Sequence, residues 1–561
     1  MQMNNKIIEE LQYLVRIMND RDNKYLNENY EILPFLYSLY ANHLNINPMD
    51  YMWINRDRVL FLLENCMPAL YAILFMSGYN ISYNDVLNYS NKYSKLSIYP
   101  EINNQMGIDM FMSLNSEEFL TSLGISFGEN YYQNLLAEKT DNHGLINYKI
   151  YIFIEHEKLC SSKILDIIEK TKYSDLKNLV IVNVISKNSI LKKKYLDIRN
   201  IFNVKKINDC CDISEIDKVL NNINSVKNNP ILIELFIDKK ISSDNIITEF
   251  DENLMIEFRA KIKERLQIRY LDWLNYKALN DENTRNVILN DFVCHSKSRN
   301  LLDINKEIIN YIKQKSFDVV LYNDVCNIPM TSNNLLSISN GISLSGLRSI
   351  YIDKSYNLQY LFPQIKIVST FNINTILIFT YDTYHRFGEL FSSQNEINFL
   401  QNIDNFSVYT PFNYSELIYS WNSILKKSGP CCLILPKIDT DLASSQFING
   451  GYVLSSTQNI QGVLVASGVD VIKALEIKEM LEIRNVFLRV VSIPNYNDFL
   501  DTDIIYQNDI LPISVKRIIL TSGINNNLSK LVYSNKYVIN IKQVKTNDEI
   551  IEKILELLEK I

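Results

Sequence analysis

Few residues in this chain are suited to chemistry. Five histidines, His43, His143, His156, His295 and His385, are spread over 561 residues. An imidazole exchanges a proton near neutral pH and binds metal ions, so each is a candidate acid, base or ligand. No His-Glu-x-x-His or similar ligand spacing joins any two of them. Two short clusters stand out. Glu155-His156-Glu157 directly follows an apolar run, and Tyr384-His385-Arg386 follows another that ends at Thr380. Either could be an acid–base or metal-binding group, or a polar strand end facing water. The eight cysteines include no Cys-x-x-Cys; Cys210-Cys211 and Cys431-Cys432 are adjacent instead. Neighbouring thiols bridge poorly and lack zinc-ligand spacing, so the cysteines read as buried, reduced thiols. No Ser or Cys has a His or acid at diagnostic spacing, which leaves nucleophilic catalysis without support. Only 14 glycines occur, well below the usual ~7%, and neither Gly-x-Gly-x-x-Gly nor Gly-x-x-x-x-Gly-Lys is present to cradle a phosphate.

The elements that must position these residues are legible as apolar runs. Residues 5–18 and 31–44 carry helical spacing, and Asp57 to Phe75 continues it. Short β-branched runs follow at Ile150–Ile154, Leu179–Ile185, Ile231–Phe236, Phe317–Tyr322, Thr375–Thr380 and Cys431–Leu435. More occur at Val463–Ala466, Phe487–Ile493, Arg517–Thr521 and Tyr537–Ile541, with amphipathic segments between them. Continuous apolar strands separated by helices predict parallel sheets covered on both faces. The strands restart three times, so the expected fold is α/β with three consecutive parallel-sheet domains: 1–285, 286–440 and 441–561. The first boundary follows a helix with Leu254, Phe258, Ile262 and Leu266 at four-residue spacing, read as a surface helix. The second lies in Ile438–Gly450. Thr546-Asn-Asp-Glu549 is a capping box for a last helix.

Lys and Arg total 57 and Asp and Glu 64, a net charge of −7. A mildly acidic chain without a basic stripe is poorly suited to nucleic acid. The apolar run at Ala69–Met76 is too short to cross a bilayer, and the first residues lack a signal-peptide core. A cytoplasmic protein without nucleic-acid or membrane partners is expected. At 47% hydrophobic, wholesale disorder is excluded.

Several stretches resemble the transketolase family, thiamine-diphosphate enzymes that move two-carbon ketol units between sugar phosphates in the pentose phosphate pathway. Gly450-Gly-Tyr-Val-Leu454, Val463-Leu-Val-Ala-Ser-Gly-Val-Asp470, Arg489-Val-Val-Ser-Ile-Pro494, Phe499 and Ile510-Leu-Pro512 are similar to its C-terminal domain. Asn340-Gly-Ile-Ser-Leu344, Ile378-Phe-Thr-Tyr-Asp382, Asp404-Asn-Phe-Ser-Val-Tyr-Thr-Pro411 and Gly429-Pro-Cys-Cys-Leu-Ile-Leu435 resemble its pyrimidine-binding domain. His43-Leu-Asn-Ile-Asn-Pro48 and Asn55-Arg-Asp-Arg58 resemble its first, diphosphate-binding domain. The resemblance implies thiamine diphosphate with Mg²⁺ or Ca²⁺. It also implies a homodimer with the cofactor between the first domain of one subunit and the middle domain of the other.

The same resemblance places eroded positions. The family's metal-binding Gly-Asp-Gly falls on Glu155-His156-Glu157, and its following Asn near Ser186. At ~4 Å and an effective dielectric near 20, each added carboxylate would repel a diphosphate charge by about 4 kcal/mol. The Gly-Pro-Leu-Gly-Gln-Gly loop becomes Ser113-Leu-Asn-Ser-Glu-Glu118. The glutamate that activates the aminopyrimidine falls near Ser332, and ring-stacking positions fall near Lys354, Asn357 and Tyr360. Family histidine positions fall on Tyr25, Asn65, Tyr99, Tyr381 and Ser393, none of which exchanges a proton near pH 7. The remaining cofactor candidates are His156, Ser186, Tyr360 and Asp382. The sugar-phosphate candidates are Ser94, Lys95, Gln394 and Lys437. Three readings follow: a family member with weak or lost catalysis, a competent divergent transketolase, or a non-catalytic dimerisation or regulatory partner, including one that pairs with an intact transketolase.

Overall fold

The chain is described by a computed structural model. It covers all residues except 1, 20–24, 54, 112–116, 140–146, 172–175, 188, 190, 224–229, 238–248, 280–288, 290–291, 295–299, 317–318, 327–329, 382–396, 398, 441–447, 524–525, 533, 545 and 560–561. The described residues form two compact units. One comprises residues 1–281 with 323–330 and 344–347, and the other holds the remainder.

The first unit is built on five parallel strands: β1 (Arg58–Leu62), β2 (Ile150–Glu155), β3 (Leu179–Ser186), β4 (Asn203–Ile207) and β5 (Ile231–Ile237), in the order β1-β2-β3-β5-β4. The central strands are almost wholly apolar and buried, as strands covered on both faces must be. Asp57 to Phe75 is not one helix. The run Arg58–Leu62 pairs with β2 as a fully buried strand, and the helix Met67–Ser77 starts after it. Short apolar runs do not separate strand from buried helix by periodicity alone. The helix Glu252–Leu279, expected to lie on the surface, places Phe258 and Ile262 in the first core.

The second unit holds two sheets. β6 (Val319–Leu321), β7 (Arg348–Lys354), β8 (Ile376–Tyr381), β9 (Ser407–Tyr409) and β10 (Cys431–Pro436) are parallel in the order β6-β7-β8-β10-β9. β11 (Tyr452–Ser455), β12 (Gly462–Ala466), β13 (Leu488–Ser492), β14 (Lys516–Thr521) and β15 (Val538–Asn540) are ordered β11-β13-β12-β14-β15. The third sheet departs from the all-parallel expectation because its edge strand β11 runs antiparallel to β13. Separate apolar clusters cover its two faces, one around Leu464, Ile477 and Ile551 and one around Val465, Ile493 and Phe499. The last helix, Asn547–Glu559, begins as its sequence predicts, with Glu549 N–H donating to Thr546 Oγ1 at 3.3 Å. Among the described residues, no helix is long and apolar enough to cross a membrane.

Candidate functional site

Ligands of parallel α/β sheets bind beyond the carboxyl ends of the strands. In the first sheet β2 ends at Glu155, and His156 opens a four-residue helix, His156–Leu159. His156 is 5% exposed and faces the interior. Its Nδ1 lies 3.1 Å from Asn183 Nδ2, and its Nε2 3.4 Å from Cys160 Sγ. Its ring stands edge-on to Tyr195 at 4.8 Å.

Asn183 also donates to the Tyr195 hydroxyl at 2.9 Å, and that hydroxyl donates to Glu234 Oε1 at 2.8 Å. Arg199 Nη2 donates to Glu234 Oε2 at 3.0 Å. The register makes this possible, because Asn183 on β3 sits directly opposite Glu234 on β5. The result is a buried chain of hydrogen bonds from Arg199 through Glu234, Tyr195 and Asn183 to His156. Burial pushes His156 below the usual imidazole value, so it is held neutral. With Asn183 Nδ2 donating, His156 Nδ1 is the accepting nitrogen of the ring, and the Asn183 Oδ1 is left buried without a partner.

Around this network the strand ends are acidic. Glu155 is pushed above the usual carboxylate range by burial and by the charge of Glu64, with Lys158 opposing. Lys158 Nζ lies 3.3 Å from Glu64 Oε1 and 3.5 Å from Glu118 Oε1. Glu118 is fully buried in the first turn of the helix Glu117–Lys139. Ser186 ends β3 half-buried, its carbonyl accepting from Ser189 N–H at 2.8 Å.

Two of the expected histidine positions meet through a residue that spacing did not reveal. The buried Asn29 amide donates to the carbonyls of Tyr25 (2.9 Å) and Asn65 (2.7 Å), while its oxygen accepts from Ala69 N–H at 3.0 Å. Tyr99 is half exposed, and its carbonyl accepts from Ser97 Oγ. Ser94 Oγ accepts from Leu96 N–H within a turn, beside an exposed Lys95. His43 Nε2 lies 2.8 Å from Asp217 Oδ1, a partner 174 residues away in sequence. Arg56 forms a buried two-point ion pair with Asp109.

In the second unit, Ser332 opens the helix Ser332–Leu344. Its Oγ accepts from Asn357 Nδ2 at 3.3 Å, and its carbonyl accepts from the Tyr351 hydroxyl at 3.0 Å. Asp353, which sequence reasoning did not single out, completes the group. Its Oδ2 lies 2.8 Å from the Tyr351 hydroxyl, and its Oδ1 accepts from Asn357 at 2.9 Å and from Lys354 N–H at 2.7 Å. Tyr360 points to solvent, 66% exposed, and Lys354 is exposed as well.

Tyr381 and Lys437 are neighbours across β8 and β10, with Lys437 N–H donating to the Tyr381 carbonyl at 3.1 Å. Tyr381 also lines a small recess with Ser467, Thr410 and Asp470. Burial pushes the Asp470 carboxyl up to about 6. Asp382, Ser393, Gln394 and His385 lie outside the described residues, as do His143, His295 and the Ser113–Ser116 part of the former glycine loop.

All eight cysteines are free thiols. They are not uniformly buried as expected: Cys211 is exposed and Cys294 half-buried.

Three domain profiles match the chain in order. Residues 27–238 match the transketolase thiamine diphosphate binding domain, 300–441 the transketolase pyrimidine binding domain, and 450–544 the transketolase-like C-terminal domain. The transketolase of Mycoplasma genitalium is 23% identical over 552 residues, covering 84% of each chain. That of Staphylococcus aureus (strain MW2) is 22% identical over 578 residues, covering 86% of each. Among solved structures, transketolase from Leishmania mexicana superposes with a TM-score of 0.80 at 15% identity, over 99% of this chain and 97% of that one. Transketolase from Campylobacter jejuni gives 0.76 at 20% identity, over 99% and 100%. The fold defines an α/β protein of three sheets with candidate positions at the strand ends. With the three domains matched in sequence order, the chain belongs to the transketolase family.

The residues at the end of β2 do not fit a metal-bound diphosphate. A hard divalent cation needs available oxygen donors. By the resemblance the metal-binding aspartate becomes His156, a nitrogen ligand whose ring faces Asn183 and Cys160 inside the fold. Although Glu155, Glu157 and the unpartnered Asn183 Oδ1 offer oxygens, the two glutamates would set carboxylates against a diphosphate.

Proposed function

We propose that this chain is a transketolase-family protein in which ketol transfer is weak or lost, and that it acts as a non-catalytic dimerisation or regulatory partner. The observation that carries this reading is the hydrogen-bond chain from His156 to Glu234, which packs inside the fold the residue that the resemblance aligns with a metal ligand. Ser332 adds to it, since the resemblance puts the glutamate that activates the aminopyrimidine near this residue and a hydroxyl cannot act as a carboxylate does. On this reading the positions at Tyr25, Asn65, Tyr99, Tyr381 and Ser393 no longer move protons, and the candidates His156, Ser186, Tyr360 and Asp382 hold no cofactor. Ser94, Lys95, Gln394 and Lys437 are then remnants of sugar-phosphate contacts. The proposed division of the chain is 1–285, 286–440 and 441–561, in a cytoplasmic homodimer.

The alternative, a competent divergent transketolase using thiamine diphosphate and a divalent metal, draws on one observation. The Asp353 carboxylate stands beside Ser332 and could replace the missing glutamate. Both of its oxygens, however, are taken by Tyr351, Asn357 and Lys354 N–H, which favours a structural role.

Steady-state assay of the purified chain with a ketose phosphate donor, an aldose phosphate acceptor, thiamine diphosphate and Mg²⁺ tests the reading. Turnover absent, or far below that of an intact transketolase assayed alongside, is expected; cofactor-dependent turnover at the rate of the intact enzyme overturns it. Because both halves of the family's shared site are altered, a mixed dimer with an intact transketolase would lose both sites. Co-expression and purification of mixed dimers is expected to yield inactive ones. Mixed dimers keeping half or more of the intact activity would exclude the silencing role.

A further inference from the structure

The loop after β4 holds a cluster that the family reading leaves unused. Asp209, Cys210 and Cys211 lie where β4 passes into the helix Ile213–Ile223, and their three ligand atoms all fall within 4.8 Å of one another. The two sulfurs are 4.0 Å apart. A tetrahedral ion with metal–sulfur bonds near 2.3 Å places two thiolates about 3.8 Å apart. The observed spacing is therefore close to that of a chelating pair, although linear spacing of adjacent cysteines does not suggest it.

The turn is held in this shape before any ligand arrives. Both oxygens of Glu215 accept backbone N–H groups, from Asn208 at 3.2 Å and Asp209 at 3.2 Å. Asp212 Oδ1 accepts from Ser214 N–H at 2.9 Å and Ser214 Oγ at 2.7 Å. Cys211 N–H donates to Asp209 Oδ1 at 2.9 Å, which fixes that carboxylate over the thiols. Cys210 packs in the first core and Cys211 opens to solvent, so the pair is anchored on one side and accessible on the other. β4 stands three strands from β2 in the sheet order, about 14 Å at the usual strand spacing, and adjoins β5, which carries Glu234.

We propose that Asp209, Cys210 and Cys211 bind one thiophilic divalent cation of the zinc–cadmium class, through two thiolates and one carboxylate, with water completing the tetrahedron. Soft thiolate ligands select such ions over Mg²⁺ or Ca²⁺. Binding converts both thiols to thiolates and releases two protons to the buffer.

The test is a titration of the reduced, chelator-treated full chain with Cd²⁺, following the ultraviolet thiolate-to-cadmium charge-transfer band. One equivalent is expected to saturate the band at micromolar concentration. Cys211→Ser, at an exposed position that leaves the core intact, is expected to abolish it, and Asp209→Asn to weaken binding about tenfold. Zn²⁺ should compete the band away. Absence of the band in the unaltered chain, or its persistence at full amplitude in Cys211→Ser, overturns the proposal. Neither outcome depends on whether the chain performs ketol transfer.

Discussion

The end of β2 and the start of β11 are both places where the family resemblance points to glycine, yet only one has kept it. Gly450 adopts φ +73, and a Cβ there would sit 2.1 Å from Phe499 N. No other residue type fits without moving backbone, so packing alone demands glycine. At Glu155 the backbone is ordinary, with φ −69 and ψ 140. Any L-residue can adopt it, and glycine is needed there only if a ligand must approach closely. The two positions thus separate a glycine that packing demands from one that only a close-lying ligand would demand.

The sharpest way to break this contrast is at Gly450. Gly450→Ala should lower stability by about 3–5 kcal/mol, through both the left-handed backbone and the clash, read as a loss of melting temperature. A near-neutral effect would remove the packing explanation. Next is the network around His156. Glu234→Ala leaves Arg199 and the Tyr195 hydroxyl without their acceptor and should cost about 3 kcal/mol. If instead His156 and its neighbours were poised for a ligand, the loss would be small. Asn29→Ala breaks the bridge between the backbones of Tyr25 and Asn65 and should cost about 2 kcal/mol by chemical denaturation.

A smaller effect concerns pH. Burial pushes the Glu129 carboxyl up to about 8 from its ordinary 4.5. The folded chain then holds a proton that the unfolded chain has released, so this group makes stability fall as pH rises from about 4.5 to about 8. The slope is at most about 1.4 kcal/mol per pH unit, and Glu129→Gln should flatten it in melting temperatures across that window.

Much of the fold was legible because long apolar runs such as Leu179–Ser186 admit few alternatives. Arg58–Leu62 was not, since five buried residues beside a buried helix carry no distinguishing period. Gly450 and Phe499 could be recognised together because the whole C-terminal motif surrounds them. The candidate site was legible only as losses. That His156 faces inward depends on Asn183, Tyr195 and Glu234, residues brought together by strand register and helix packing over 27 to 39 positions. Asp353 beside Ser332 and Asn29 between Tyr25 and Asn65 were hidden for the same reason. The grouping of Asp209, Cys210 and Cys211 was hidden as well, because the turn that brings their side chains together leaves no mark in linear spacing.

The most direct measurement is a calorimetric titration of the purified chain with thiamine diphosphate in the presence of Mg²⁺, paired with melting temperatures at millimolar cofactor. The inward-facing His156 network predicts no saturable heat and an unchanged melting temperature. Saturable binding, with a stabilisation approaching about 2.7 kcal/mol at a hundredfold excess over Kd, would contradict it.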